Sequence, residues 1–153
     1  MKILIVDDDR LIHQMMGAIL LPLGYEIEYA FDTTDAMNIF IINSDFDLVI
    51  TDIVMPGEDG TKLIKQIKSI KPNIPVLAVT GGIENAVNDY VTFASMYSDF
   101  TLAKPFSKID LKKGIQAAID RAAYNASYKE TEDDPFENLQ NILSKYEHSS
   151  TSS

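Results

Sequence analysis

The chain of 153 residues contains no cysteine and no tryptophan, and its 13 Lys and Arg are outnumbered by 23 Asp and Glu. Without cysteine there is no disulfide framework and no thiolate metal site. Without tryptophan there is no indole fluorescence to follow. The shortage of basic residues leaves a net charge of -10. That charge opposes a sequence-independent grip on nucleic acid, which needs a basic surface. Long apolar runs are also missing. No stretch is long enough to span a bilayer, and the first six residues lead straight into a strand, so neither a membrane span nor a signal peptide is expected. These absences point to a cytoplasmic protein. The length suits one domain with a real core.

What is present is a repeated alternation. Lys2 to Val6 (KILIV) is short, β-branched and almost wholly apolar, as strands covered on both faces are. Ile12, Met16, Ile19 and Leu23 follow at helical spacing, and Gly24 stops the helix. Residues 25 to 31 read as a second strand. Asp32 can cap a helix carrying Ala36, Met37 and Phe40. Residues 48 to 51 and 74 to 79 are further apolar strands, separated by a helix with Leu63, Ile64 and Ile67 and a stop at Lys71 and Pro72. Val87, Tyr90, Val91 and Ala94 suggest another helix, and residues 100 to 103 a short fifth strand. Ser107 to Asp110 reads as a capping box opening a last helix through Leu111, Ile115, Ala118 and Ala122. Five strands alternating with helices predict a doubly wound parallel α/β sheet. Ligands of such sheets bind beyond the carboxyl ends of the strands.

Those ends carry chemistry. The first strand ends in Asp7, Asp8 and Asp9, the third in Asp52, the fourth in Thr80, Gly81 and Gly82, and the fifth in Lys104 and Pro105. Crowded carboxylates repel, and a hard cation such as Mg²⁺ relieves them. An ionised aspartate beside Mg²⁺ can attack a phosphoryl group. An ammonium, a hydroxyl and glycine backbone can then surround the transferred oxygens. Taken singly, each group reads as solvated surface, a turn or a cap. The joint arrangement is what points to phosphoryl chemistry.

The segments ILIVDDD, LVITDIVMPGEDG, VLAVTG and LAKPF, in this order and spacing, resemble the receiver domain of bacterial two-component response regulators, from Met1 to about Ala123. The resemblance implies a flavodoxin-like, CheY-like sheet of strand order 2-1-3-4-5. It implies Asp52 as phosphoacceptor, Asp8 as a direct Mg²⁺ ligand, Asp7 acting mostly through water, and the Val54 backbone carbonyl completing the set. Thr80 and Lys104 would hold the phosphoryl group, and Lys104-Pro105 would be a cis peptide. Asp9 matches no ligand position and reads as helix-start charge. The position that usually holds Tyr or Phe is Thr101, and Phe100 lies on the other face of the strand. The resemblance further implies a histidine kinase or histidine phosphotransfer protein as donor, a downstream protein target, and no enzymatic activity beyond self-phosphorylation and self-dephosphorylation.

His13 and His148 read as ordinary surface. Leu11 and Met15 either widen the core face or form an apolar contact surface, which in the family receives the histidine-bearing partner. The receiver is expected over 1–124. Residues 125–153 read as an acidic linker, a short amphipathic helix near 135–147 carrying Phe136, Leu139, Ile142, Leu143 and Tyr146, and a disordered end. That helix packs on its own domain, on a partner or on a second copy. No basic helix-turn-helix segment follows, so a stand-alone receiver is expected. Competing readings are a phosphorylation-independent scaffold, a haloacid-dehalogenase-type phosphatase and a flavodoxin-like electron carrier. The phosphatase would need Thr or Val where Leu11 stands. The electron carrier would need a phosphate loop where the acidic triplet stands.

Overall fold

The computed structural model describes residues 1–81, 92 and 94–131, with backbone alone at 129–131. The elements run β1 (Lys2–Val6), α1 (Arg10–Leu20), β2 (Glu26–Ala30), α2 (Thr33–Ile42), β3 (Leu48–Asp52), β4 (Val54–Met55), β5 (Glu58–Asp59), α3 (Gly60–Ile70), β6 (Val76–Thr80), β7 (Phe100–Ala103) and α4 (Lys108–Thr131). The five long strands form one parallel sheet in the order β2-β1-β3-β6-β7, the expected topology. β4 and β5 form a separate antiparallel hairpin.

Alternation along the central strands sends side chains to two cores. Leu4, Val49 and Ala78 join Phe40, Ile64 and Ile67 on one face. Ile5, Ile50 and Leu77 join Met16, Leu111 and Ile115 on the other. β3 and β6 are buried throughout, which explains the apolar runs over 48–50 and 76–79 that open them. The capping signals act as read. Asp32 accepts from the Asp35 amide at 2.7 Å, and Ser107 and Asp110 bond reciprocally at 2.9 and 3.1 Å.

Along α1 the buried stripe differs from the apolar reading. It comprises His13, Met16, Gly17 and Leu20, spaced i, i+3, i+4, i+7. Ile12 and Ile19 are only partly buried, and Leu23 is exposed. His13 is therefore not a surface residue. It is 6% exposed, its ring centroid 4.9 Å from Tyr29 and 4.7 Å from Phe31, and its Nε2 has no hydrogen-bond partner among the described residues. Aromatic neighbours contributed by β2 and its following loop turn a polar residue into a core one.

The sheet edges are β2 and β7. Glu26 and Glu28 lie on β2, and Lys2 pairs with Glu28 at 3.4 Å and with Asp45 at 3.0 Å. At the amino ends of β6 and β7, Asp99 accepts from Lys68 at 2.6 Å and from the Val76 amide at 2.8 Å. That carboxylate ties α3 to the start of both strands. A buried charge so paired costs about 3–5 kcal/mol when its partner is removed.

The chain divides into two compact units, Met1–Ala123 and Tyr124–Ser153. The linker expected from residue 125 is instead helical as far as Thr131. Residues 125–131 contain neither Gly nor Pro, so an established helix propagates through them at little cost. In this second unit Tyr124 and Tyr128 stack with centroids 6.2 Å apart. The helix expected near 135–147, the disordered end, His148 and most of the helix expected around Val87 to Val91 lie outside the described residues. Ala94 falls in a short helical turn over 94–97.

Burial lowers the His13 imidazole below its ordinary 6.5, the nearby Asp7 opposing only in part. The unfolded chain then binds the proton more tightly than the folded one. His13 thus contributes stability fully present above about pH 6.5 and lost as pH falls through the lower folded value. Urea unfolding between pH 7.5 and 5 is expected to show declining stability, and His13→Phe should flatten that decline. The His13 ring resonances should titrate with a midpoint below 6.5.

Candidate functional site

Asp52 ends β3 and is 6% exposed. The turn after it is built by the sequence MPGED. Val54 and Met55 pair with Asp59 and Glu58, and Gly57 occupies the turn at φ 71°, where Pro56 presets the preceding residue. The chain then enters α3 at Gly60. A Cβ on Gly60 would lie 2.5 Å from the Asp52 carbonyl oxygen and 2.7 Å from the Ile53 Cα. Only hydrogen at that position lets α3 start directly beneath the end of β3. Asp59 caps that helix, accepting from the Thr61 amide at 2.9 Å.

The sequence-predicted groups converge. Lys104 Nζ donates to Asp7 Oδ2 at 2.8 Å and to Asp52 Oδ2 at 3.2 Å. Asp52 Oδ1 accepts from the Val54 amide at 3.1 Å. Asp7, 2% exposed, also accepts from the Asp9 amide at 2.8 Å. Asp9 caps α1 through the Leu11 amide, the helix-start role expected of it. Asp8 is exposed, and one carboxylate oxygen from each of Asp7, Asp8 and Asp52 lies within 4.8 Å of the others. Thr80 is buried, and its Oγ1 has no hydrogen-bond partner among the described residues. Gly81 packs against the Lys104 stem, where a Cβ would lie 2.9 Å from Cδ. Lys104-Pro105 is cis. Gly82 lies outside the described residues.

Burial pushes the Asp52 carboxyl up, with Asp7 adding to the shift and Lys104 opposing it. For Lys104, burial would lower the ammonium, yet Asp7 and Asp52 outweigh it and raise the group. The site therefore holds an ion triad in which Asp52 is more basic than an exposed aspartate, and a more basic carboxylate is a better nucleophile. The donor set suits a hard divalent cation: oxygen ligands only, two of them buried and one open to solvent. Among the described residues the buried Thr80 hydroxyl has no acceptor, and a phosphoryl oxygen would supply one. The residues present thus fit both Mg²⁺ and a phosphoryl group.

Two residues of the site escaped the sequence reading in their actual roles. Gly60 stands in the sequence reading only within the motif LVITDIVMPGEDG, as does Glu58, whose Oε2 accepts from the Thr33 amide at 2.9 Å. Thr101 lies on β7 with its Oγ1 3.2 Å from the Ser98 hydroxyl, while Phe100, its neighbour on the opposite face, is exposed. Beside Lys104, Ile12, Met15, Pro105 and Phe106 line a shallow apolar groove, and Leu11 is exposed.

Residues 3–116 match the model of the response regulator receiver domain. Among curated relatives, the transcription factor SKN7 of Candida albicans is 36% identical over 109 residues, covering 71% of this chain and 19% of that protein. The response regulator MprA of a Mycobacterium species is 31% identical over 122 residues, covering 80% of this chain and 52% of that protein. The chain thus spans about half, or less, of the curated relatives it matches. Among solved structures, a receiver domain protein from Clostridium thermocellum superposes with a TM-score of 0.70 at 31% identity, covering 80% of this chain and 97% of that one. TrrA from Thermotoga maritima, solved in complex with Mg²⁺ and BeF, gives 0.66 at 30% identity, covering 76% and 97%. With a family model spanning most of its length and a sheet of matching topology, the chain belongs to the response regulator receiver domain family.

Proposed function

We propose that this receiver is a phosphorylation-switched signalling module in which Asp52 accepts a phosphoryl group from a phosphohistidine donor, a histidine kinase or a histidine phosphotransfer protein. The observation that carries the reading is the Lys104 ammonium held between Asp7 and Asp52, with the Thr80 hydroxyl, unpaired among the described residues, at the end of the adjoining strand. An Asp52 carboxylate oxygen forms a bond to phosphorus as the donor's P–N bond breaks, and the imidazole leaves with the electron pair. Bound Mg²⁺ supplies charge neutralisation for the phosphoryl oxygens. Asp7, Asp8, Asp52 and the Val54 carbonyl are the ligands assigned to it. Lys104, on transfer, exchanges its bond to Asp52 for one to a phosphoryl oxygen, and the Thr80 hydroxyl donates to another. Both changes occur at strand ends, so β6 and β7 feel them directly. The chain acts on itself and turns over no external substrate beyond the phosphodonor. The surface carrying Leu11, which is exposed, and Met15, which lines the groove beside Lys104, is the one the family reading gives to the donor protein.

Two outcomes test the assignment. Intact-mass spectrometry with acetyl phosphate and Mg²⁺ should show one added phosphoryl group on the wild type and none on Asp52→Asn; a gain at the wild-type rate by that variant would overturn the reading. Lys104→Ala leaves two buried carboxylates facing each other without their cation. The metal-free variant should lose about 3–5 kcal/mol of stability. Mg²⁺ should raise its melting temperature more than it raises that of the wild type, and phosphorylation should barely alter its NMR spectrum.

A further inference from the structure

Glu58 sits on β5, immediately after the Pro56-Gly57 turn. Its side chain leaves the hairpin and reaches α2, where Oε2 accepts from the Thr33 amide at 2.9 Å. Thr33 is the first residue of α2, so its N–H has no partner within the helix. The local caps are already committed. Asp32 serves the Asp35 amide at 2.7 Å, and Asp35 serves the Phe31 amide at 3.3 Å. The Thr33 amide is left to a carboxylate 25 residues away, at the helix end that favours negative charge. In the other direction, Glu58 pairs with Met55 and Asp59 with Val54, whose amide holds Asp52 Oδ1. Asp59 fixes the same hairpin to the start of α3 through Thr61. The hairpin is thus bolted at two adjacent positions to two different helices.

We infer that Glu58 is a positioning residue, tying the β4–β5 hairpin to the amino end of α2 and thereby holding the Val54 backbone and Asp52 in the arrangement that receives a divalent cation. The inference rests on the proposed roles of Asp52 and Val54. It assigns to Glu58 no contact with the cation or the phosphoryl group. An apolar residue of the same length would fill the space but leave the Thr33 amide unbonded, and of the hairpin's two side-chain ties to helix starts only that to α3 would remain.

The full chain carrying Glu58→Met, which loses both acceptor oxygens, is compared with Glu58→Gln, which keeps one. Mg²⁺ affinity is read by calorimetric titration, and the Val54 amide by hydrogen exchange in metal-free protein. Glu58→Met should weaken Mg²⁺ binding about three- to tenfold, the span of one hydrogen bond's net worth, and speed Val54 exchange by a similar factor. Glu58→Gln should stay within about twofold of wild type on both readouts. Unchanged Val54 exchange and Mg²⁺ affinity in Glu58→Met, whatever its global stability, would overturn the inference. Equal losses in the two variants would show that charge attraction and not the tether is at work, and would overturn it too. A wild-type chain that binds no Mg²⁺ would instead sink the reading of the site, while Val54 exchange would still report on the tether.

Discussion

Lys104 reaches from the end of β7 across β6 to two carboxylates on β3 and β1, and that one ammonium makes their shared burial tolerable. Asp7 and Asp52 would otherwise be two nearly solvent-free negative charges in one pocket, and one of them would take up a proton. The contact joins residues 97 and 52 positions apart, so it exists only when the sheet has its full order. The site and the topology therefore stand or fall together. The same contact holds the site ready, because the triad is a balanced arrangement that a new positive ion or a new phosphoryl group must unbalance.

Around the triad, the chain solves a placement problem. Asp52 must sit at the tip of a central strand, yet the following helix must start at once to cover the sheet. Gly60 permits the close approach, Gly57 permits the reversal, and Asp59 caps the helix that results. Glu58 anchors the reversal to the neighbouring helix. The seven residues 53–59 thus convert a strand end into a helix start without leaving the aspartate loose. At the far end of the sheet, Asp99 performs a comparable task, joining α3 to β6 by one carboxylate with two donors.

Much of this was legible in the sequence because it is periodic or local. Apolar runs of five residues mark covered strands, and Asp32, Asp9 and Ser107 announce helix starts within four residues of what they cap. The convergence of Asp7, Asp8, Asp52, Thr80 and Lys104 was legible because topology puts strand ends on one rim. What was not legible depends on partners distant in the chain. His13 is buried by aromatic rings from Tyr29 and Phe31, and nothing at position 13 itself announces them. Glu58 and Asp99 look like surface acids until their donors on α2 and α3 are in place. The helical run to Thr131 was missed because acidity was read as a linker, whereas residues 125–131 hold neither Gly nor Pro to stop a helix already formed.

The edge at β2 sets how the molecule behaves in company. An outermost strand offers unpaired amides and carbonyls to any passing strand, and a parallel sheet has no closure to hide them. Here that edge exposes Glu26, beside Glu28 paired with Lys2, on a chain whose net charge is already -10. Two copies approaching strand to strand would bring like charges together before any backbone bond could form. The protection is colloidal and long-ranged at low ionic strength, and it shrinks to about 8 Å at physiological salt. Strand-to-strand approach at this edge is thus opposed by a charge whose reach the surrounding electrolyte sets.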